Sequence, residues 1–270
     1  MTATTLSFLN FKGGVGKTST TALTSYSLAR MGYKVLAIDL DPQANLTSLF
    51  LKTKSNTSDN KIITIEKSLM SALNDNTDLN KISISIMDNL DLIPNAVDFS
   101  MYNRFLDKNL TTEFEKVSFL KTKIEPLKSK FDFIFIDVPP TISLPNDTAF
   151  FACDQIIVVL QTQERSLSGA EILLKYLQDT LINTFGSSVD VMGILPVLSK
   201  RKAKVDEEIL KSAIAEFGED SIFKNKITIM ERIKRMDMTG ITDNSKDVWD
   251  SRVHEAFKGV AQEIVERLGS

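Results

Sequence analysis

The fold of this 270-residue chain follows from residues 10–19, N-F-K-G-G-V-G-K-T-S. An apolar run, Leu6 to Leu9, precedes this stretch, and a helical pattern from about Thr18 to Met31 follows it. A glycine-rich turn between a strand and a helix N-terminus is the setting of a phosphate-binding loop, because backbone N–H groups there point at the anion. The stretch therefore predicts a phosphate-binding site at the end of the first strand.

The side chains of this loop match that chemistry. Lys17 would place its ammonium group on the β- and γ-phosphates of a nucleotide, and Thr18 would offer its hydroxyl to Mg²⁺. The standard pattern G-x-x-x-x-G-K-[ST] asks for glycine where this chain has Phe11, and a second lysine, Lys12, stands at the start of the loop. The predicted nucleotide-binding residues are Lys12, Gly13, Gly14, Val15, Gly16, Lys17, Thr18 and Ser19.

The composition excludes several other kinds of protein. With 43% apolar residues the chain can bury a large core, and a net charge of −3 gives no overall attraction to nucleic acid or anionic lipid. The single cysteine, Cys153, excludes an intrachain disulfide and a four-cysteine metal site, and the single histidine excludes a histidine-rich zinc site. Because neither a signal peptide nor an apolar run of about 20 residues is visible, we expect a soluble cytoplasmic protein.

Carboxylates stand at the ends of two more predicted strands. Asp39 and Asp41 end the run that begins at Val35, and Asp137 ends a buried run that begins at Phe131. The carboxyl ends of parallel strands form the edge at which α/β proteins bind ligands, and we expect Asp39 and Asp41 to point the same way. A strand-end carboxylate such as Asp137 is where P-loop proteins support Mg²⁺, usually through a water molecule.

The rest of the chain alternates strands with helices. We expect an exposed loop over Lys52–Lys61, strands over Leu90–Asn95, Asp154–Gln161 and Val189–Leu195 (stopped by Pro196), and helices over about Ile65–Asn74, from Ser166, over Val205–Phe217 and over Val253–Leu268. Helical spacing over residues 100–130 suggests one buried face containing Phe105, Phe114, Phe119, Ile124 and Leu127. The prediction is a single doubly wound α/β domain, residues 1–270, with a mostly parallel sheet and helices on both faces.

The loop resembles the deviant phosphate-binding loop, K-G-G-x-G-K-T, of the ParA/MinD ATPase superfamily. As a whole the chain looks like a ParA-type plasmid or chromosome partition ATPase, of the short kind without an N-terminal helix-turn-helix domain. The likeness covers Lys12–Ser19, Val35–Asn45, Leu90–Asp98, Phe131–Pro140, Val158–Gly169 and Gly193–Pro196, and it is looser after Lys200. Phe11 and Val138 depart from residues common in the family, but neither replaces a group with a chemical role.

This resemblance implies an ATPase that uses ATP and Mg²⁺, forms a homodimer on binding ATP and binds DNA non-specifically, and hence a nucleoid-associated protein. It also implies slow hydrolysis that a ParB-like centromere-binding protein stimulates. Carried over by residue, Lys17 and the amides of Gly13 to Thr18 hold the phosphates, and Thr18 ligates Mg²⁺ with support from Asp137. Asp41 orients the attacking water, Asp39 lies beside the metal and Lys17, and Lys12 crosses the dimer interface to stabilise the charge of phosphoryl transfer.

Two basic segments are the candidate DNA contacts, because their cations are concentrated in a chain of negative net charge. Ser199–Lys204 contains no acid, and Lys224–Arg235 contains only Glu231. The candidate residues are Lys200, Arg201, Lys202, Lys204, Lys224, Lys226, Arg232, Lys234 and Arg235. A solvated loop and a charged helix face are the alternative interpretation of the same residues.

Three other functions share parts of these patterns. A MinD-like positioning ATPase at a membrane surface needs a C-terminal amphipathic helix with a basic polar face, whereas the polar side of the last helix mixes three glutamates with Lys258 and Arg267. A nitrogenase-reductase-like electron carrier needs two cysteines in each chain to hold its cluster, and only Cys153 is present. A structural adaptor with an inactive nucleotide site has no need of two loop lysines, Thr18 and three strand-end aspartates.

Overall fold

A computed structural model describes residues 2–57, 62–162, 166–198, 204–228, 230–244 and 247–269. Its strands are β1 (Thr4–Leu9), β2 (Val35–Asp39), β3 (Ile84–Met87), β4 (Leu90–Ile93), β5 (Phe133–Asp137), β6 (Gln155–Gln161), β7 (Asp190–Leu198) and β8 (Ile227–Thr228). Within these residues they form an eight-stranded sheet in the order β3-β4-β2-β5-β1-β6-β7-β8. Neighbouring strands run parallel except β3 and β4, which are antiparallel.

Helices cover both faces of this sheet, which confirms the predicted doubly wound α/β fold. They are α1 (Lys17–Arg30), α2 (Asn45–Thr57), α3 (Leu69–Asn74), α4 (Tyr102–Asn109), α5 (Glu113–Ile124), α6 (Leu144–Ala152), α7 (Ser166–Tyr176, continued by a π-helical segment Leu177–Thr184), α8 (Lys204–Phe217), α9 (Glu231–Thr239) and α10 (Val248–Gly269). Residues of α1, α2, α9 and α10 pack in the core on one face, and residues of α3 to α8 pack in the core on the other.

The central strands are buried on both sides, which is why they read as continuous apolar runs. In β5 the side chains alternate, so that Phe133 and Phe135 join one core while Ile134 and Ile136 join the other. The parallel register of β2 and β5 sets Asp39 opposite Asp137. The sheet thereby brings the two strand-end carboxylates to the same edge.

The predicted loop over Lys52–Lys61 is wrong in its first half. Helix α2 runs from Asn45 to Thr57, and residues 58–61 lie outside the described chain. Leu46, Leu49, Phe50 and Thr53 are buried at helical spacing, and this burial holds a polar segment in a helix despite its composition. The helix expected over Ile65–Asn74 begins later, at Leu69, where the Ser68 hydroxyl accepts the Ser71 N–H (3.1 Å) as its N-cap.

Three smaller predictions also need correction. Strand β7 does not stop at Pro196 but continues to Leu198. Proline has no backbone N–H to donate, but β8 pairs with β7 only from Val197 onward, so this pairing does not need one. Phe114 is 55% exposed and does not share the buried face of residues 100–130, which are divided between α4 and α5. Helix α10 begins at Val248, five residues before the predicted start.

Candidate functional site

The predicted phosphate-binding loop lies between β1 and α1. Gly16 precedes α1 in the left-handed conformation (φ 87°), which a residue with a side chain adopts at a cost. Among the described residues no side chain caps this helix, and no acidic residue lies in its first turn, so its N-terminus is left without a side-chain acceptor. An anion is the ligand that such a helix N-terminus favours.

The two loop lysines differ in burial. Lys17 is only 6% exposed, and its Nζ donates to the Lys12 carbonyl at 3.4 Å. Burial lowers the pKa of Lys17, while the charges of Asp137 and Asp41 oppose that shift. Lys12 is exposed, and its Nζ donates to Gln161 Oε1 at the end of β6 (3.2 Å). The loop therefore holds one cation inside the site and presents the other at its rim.

Asp39, the last residue of β2, and Asp41 make different hydrogen bonds. Both oxygens of the buried Asp39 accept hydrogen bonds, Oδ1 from the Asp41 N–H (3.0 Å) and Oδ2 from the Thr47 N–H (2.8 Å) and hydroxyl (2.7 Å). Asp41 accepts the Gln43 N–H through Oδ1 (2.9 Å) and lines the cavity described below. Asp39 thus organises the backbone, while Asp41 faces the open site.

Asp137 is buried without a hydrogen-bond partner on either carboxylate oxygen among the described residues. Burial raises its pKa, and the neighbouring Asp39 carboxylate raises it further. The nearby Thr18 hydroxyl partly offsets this rise in the pKa of Asp137, although it does not meet the distance and angle of a hydrogen bond to either carboxylate oxygen. Burial likewise raises the pKa of Asp39, against its hydrogen bonds from Thr47. A buried carboxylate without a partner beside Lys17 and Thr18 fits a bound hard cation, because oxygen ligands are what Mg²⁺ prefers.

A cavity of about 680 Å³ opens beside these groups. One wall is formed by residues 14–20 of the loop and the first turn of α1, with Asp41 and Lys52, and the apolar wall includes Val197, Ile227, Met230, Ile233 and Phe257. A mononucleotide fits a space of this size, and an apolar wall beside a phosphate loop suits a nucleoside base.

Sequence reasoning did not find the apolar wall or the groups that hold the Asp39–Asp41 segment. Lys224–Arg235 is interpreted from the sequence only as a basic segment. The regular spacing of its apolar residues Ile227, Met230 and Ile233 could have indicated a buried face. Thr47 and Asn95 carry no motif, and only the fold brings them to Asp39 and Asp41.

The basic segments are only partly visible. Lys200, Arg201 and Lys202 lie outside the described residues, and Lys204 is exposed at the start of α8. Lys224, Lys226, Lys234 and Arg235 are exposed, and Lys234 pairs with Glu231 (3.0 Å).

Arg232 has an internal role. Its Nε donates to the fully buried Asp250, and its Nη2 donates to the Thr242 hydroxyl (3.0 Å) and pairs with Asp247 (3.5 Å). The Arg232 charge is therefore engaged by a buried carboxylate within the protein.

Helices long and apolar enough to cross a bilayer are absent from the described residues.

Comparison with known proteins shows the family of this chain. Residues 3–191 match the profile of the AAA domain family. The chain is 30% identical over 193 residues to the virulence plasmid ParA family protein pGP5-D of Chlamydia psittaci, an alignment that covers 71% of this chain and 68% of that protein. It is 26% identical over 265 residues to the chromosome-partitioning ATPase Soj of Treponema pallidum, with 98% of both chains covered.

A solved structure shares the fold over nearly the whole length. Cobyrinic acid a,c-diamide synthase of Mycobacterium smegmatis, with bound ATP analog and magnesium, superposes with a TM-score of 0.79 over 99% of this chain and 96% of that chain. At 20% identity this likeness shows the fold alone. The family follows from the sequence relatives and the matched profile: the chain belongs to the AAA domain family and, within it, to the ParA family of partition ATPases.

Proposed function

We propose that this chain is a single-domain, Mg²⁺-dependent ATPase that partitions DNA. The observation that carries the proposal is Asp137, a buried carboxylate without a hydrogen-bond partner among the described residues, whose charge acts on Lys17, a residue that lines the nucleotide-sized cavity. A bound Mg²⁺ supplies positive charge that neutralises the phosphates, and Thr18 and Asp137 would hold it. The solved diamide synthase with bound ATP analog and magnesium, which has the same fold, supports this choice of ligands.

Phosphoryl transfer depends mainly on positioning and electrostatics, and each group here has one such task. The N–H groups of the loop and the Lys17 ammonium bind the phosphates from within the site. Asp41, at the cavity wall, orients the water that attacks. Asp39 holds the Asp41 backbone, and in that respect its role differs from the metal-side role that the resemblance implied.

Lys12 acts across a homodimer that forms on ATP binding. Its exposure at the rim of the loop supports this role, because a side chain that reaches the nucleotide of the partner subunit must be accessible at the surface of its own subunit. Such delivery couples hydrolysis to dimerisation, since each site is complete only when two chains meet.

The dimer binds DNA without sequence preference in the cytoplasm, on nucleoid DNA. The exposed cations Lys204, Lys224, Lys226, Lys234 and Arg235 are the proposed phosphate contacts, together with Lys200, Arg201 and Lys202. Arg232 is left out of this set because its charge is engaged with Asp250. A ParB-like centromere-binding protein stimulates hydrolysis, as the relatives' role in chromosome partitioning suggests.

A MinD-like role at a membrane surface has less support. The apolar face of α10, which includes Val253, Phe257, Val260 and Ile264, is buried in the core on the α1 side of the sheet. A membrane-binding helix must present that face to lipid, so α10 would first have to leave the fold.

The experiment that tests the chemistry is phosphate release with Asp41→Ala. We expect ATP binding and dimerisation to remain and the hydrolysis rate to fall by about 10²–10⁴, the usual worth of a positioned acid–base group. Asp88→Ala, which alters an exposed aspartate in the β3–β4 turn, is the control and should keep the parental rate. Parental hydrolysis by Asp41→Ala would contradict the assignment and move the role to Asp39.

A further inference from the structure

We propose that Thr47 and Asn95 are positioning residues that fix the Asp39–Asp41 segment and so set the rate of hydrolysis without contacting the nucleotide. This inference rests on the proposed ATPase function. Thr47 lies in α2 and Asn95 follows β4, so neither belongs to the phosphate-binding loop.

A closed ring of hydrogen bonds joins the four residues. The Thr47 N–H and hydroxyl donate to Asp39 Oδ2 (2.8 and 2.7 Å), and the Thr47 hydroxyl oxygen accepts the Asn95 N–H (3.0 Å). Asn95 Nδ2 donates to the Asp41 carbonyl (3.0 Å), and the Asp41 N–H returns to Asp39 Oδ1 (3.0 Å). Each of the four residues is at most 9% exposed, so water competes poorly for these bonds.

The orientation of the Asn95 amide is fixed by this ring. Its Oδ1 is buried without a partner among the described residues, and turning the amide over would set that oxygen against the Asp41 carbonyl oxygen. The Nδ2 group of Asn95, which is a donor, therefore faces the Asp41 carbonyl, because amide nitrogen and oxygen are assigned from their hydrogen-bond partners. Burying the Asn95 Oδ1 without a partner costs free energy. The hydrogen bond that the amide does make, from Nδ2, is to the backbone carbonyl of Asp41.

Side chains thus contact both backbone polar groups of Asp41, the N–H through Asp39 and the C=O through Asn95, and the Ala44 N–H also donates to that C=O (2.8 Å). The Asp41 carboxylate is placed on the cavity wall by that backbone. Misplacing a reacting group by about 1 Å costs on the order of 10²-fold in rate. Loosening the ring should therefore slow the chemical step and leave the phosphate contacts of the loop intact.

The test is steady-state ATP hydrolysis and equilibrium nucleotide binding with three variants. Thr47→Val keeps the shape but removes the hydroxyl, and we expect kcat to fall at least about tenfold while the nucleotide Kd stays within about threefold. Thr47→Ser restores the hydroxyl and should recover most of the rate. Asn95→Ala should behave like Thr47→Val, and it carries the test if Thr47→Val does not fold.

The matched control is Thr24→Val. Thr24 is a fully buried threonine of α1 whose hydroxyl has no hydrogen-bond partner among the described residues, so the same substitution should leave kcat and Kd unchanged. A fall in kcat for Thr47→Val that Thr47→Ser does not reverse, or an equal loss of nucleotide affinity, would show a merely structural role and overturn the proposal.

A double-mutant cycle separates this inference from the proposed function. If Thr47 acts through Asp41, Thr47→Val should have no further effect in the Asp41→Ala background, because the group it positions is gone. Additive losses would overturn the proposal. An inactive Asp41→Ala with a parental rate in both Thr47→Val and Asn95→Ala would refute only the positioning role, whereas a fully active Asp41→Ala would refute the assigned chemistry as well.

Discussion

Replacing Asp137 with asparagine should stabilise the nucleotide-free protein while it removes hydrolysis. Asp137 is buried, unpartnered among the described residues and set opposite Asp39 in the β2–β5 register. Burial and the Asp39 charge raise its pKa to about 8. For an acid whose folded pKa is raised, the stabilising contribution is present below the unfolded pKa of about 4 and is lost as the pH rises toward the folded value.

The magnitude follows from the missing partners. Leaving a buried polar group unsatisfied costs about 1–3 kcal/mol, and more when it is charged. Asparagine removes the charge but leaves an amide that still lacks partners, so we take the lower end, about 1 kcal/mol. For a protein of this size that corresponds to a rise in Tm of roughly 2–4 °C. The difference between variant and parent should be larger near pH 8 than near pH 5, because the loss of stability that comes from ionising Asp137 over that range occurs only in the parent.

The assay is thermal unfolding without nucleotide or Mg²⁺ at these two pH values, followed by phosphate release at the higher one. Asp250→Asn is the matched control: this buried carboxylate accepts hydrogen bonds from Arg232, Thr242 and the Asn244 N–H, so the same substitution should lower Tm. A lower Tm for Asp137→Asn near pH 8, or hydrolysis at the parental rate, would refute the reasoning.

Three further predictions concern other parts of the molecule. Lys17→Ala should abolish tight nucleotide binding, whereas Lys12→Ala should keep monomer binding and lose the ATP-dependent dimer; an unaltered dimer by light scattering with Lys12→Ala would contradict the role in trans. Gly240→Ala should lower Tm, because its Cβ would lie 2.6 Å from the Thr53 backbone nitrogen at φ +83°, a strain of about 1–3 kcal/mol before the contact is counted; an unchanged Tm would show that α9 can move away from α2. Arg232→Ala should destabilise the fold by about 1–3 kcal/mol, because it leaves Asp250 without its guanidinium partner. The same variant should leave the salt dependence of DNA binding unchanged. Lys226→Ala and Arg235→Ala should instead each lower the slope of log affinity against log salt concentration by about one.

The parts of the fold that could be predicted are those whose signal is local. A parallel strand buried on both faces needs a continuous apolar run, and β2, β5 and β6 each contain one. The loop before α1 needs glycines and lysines at fixed spacing, because its chemistry depends on consecutive backbone N–H groups. The carboxyl ends of the parallel strands then placed Asp39 and Asp137 at one edge.

What could not be predicted depends on contacts between distant segments. Helix α2 continues through a polar stretch because its C-terminal half contacts α9. There the Lys52 ammonium donates to the Asp237 carbonyl (2.8 Å) and the Asn56 amide donates to the Thr239 carbonyl (2.7 Å). Arg232 looked like its exposed neighbours until the fold set Asp250 beside it. Asn95 gave no signal, since one asparagine after a strand is common and its partner lies 54 residues away in sequence.

We propose above all that ATP converts this chain into a dimer that binds DNA. The most direct measurement is the affinity for random-sequence duplex DNA, at one salt concentration, without nucleotide, with ADP, and with a slowly hydrolysed ATP analogue. We predict tight, salt-sensitive binding with the analogue alone, because pairing two basic surfaces roughly doubles the phosphates reached, and we predict that Lys12→Ala loses this gain. Equal affinity in all three nucleotide states would contradict the account.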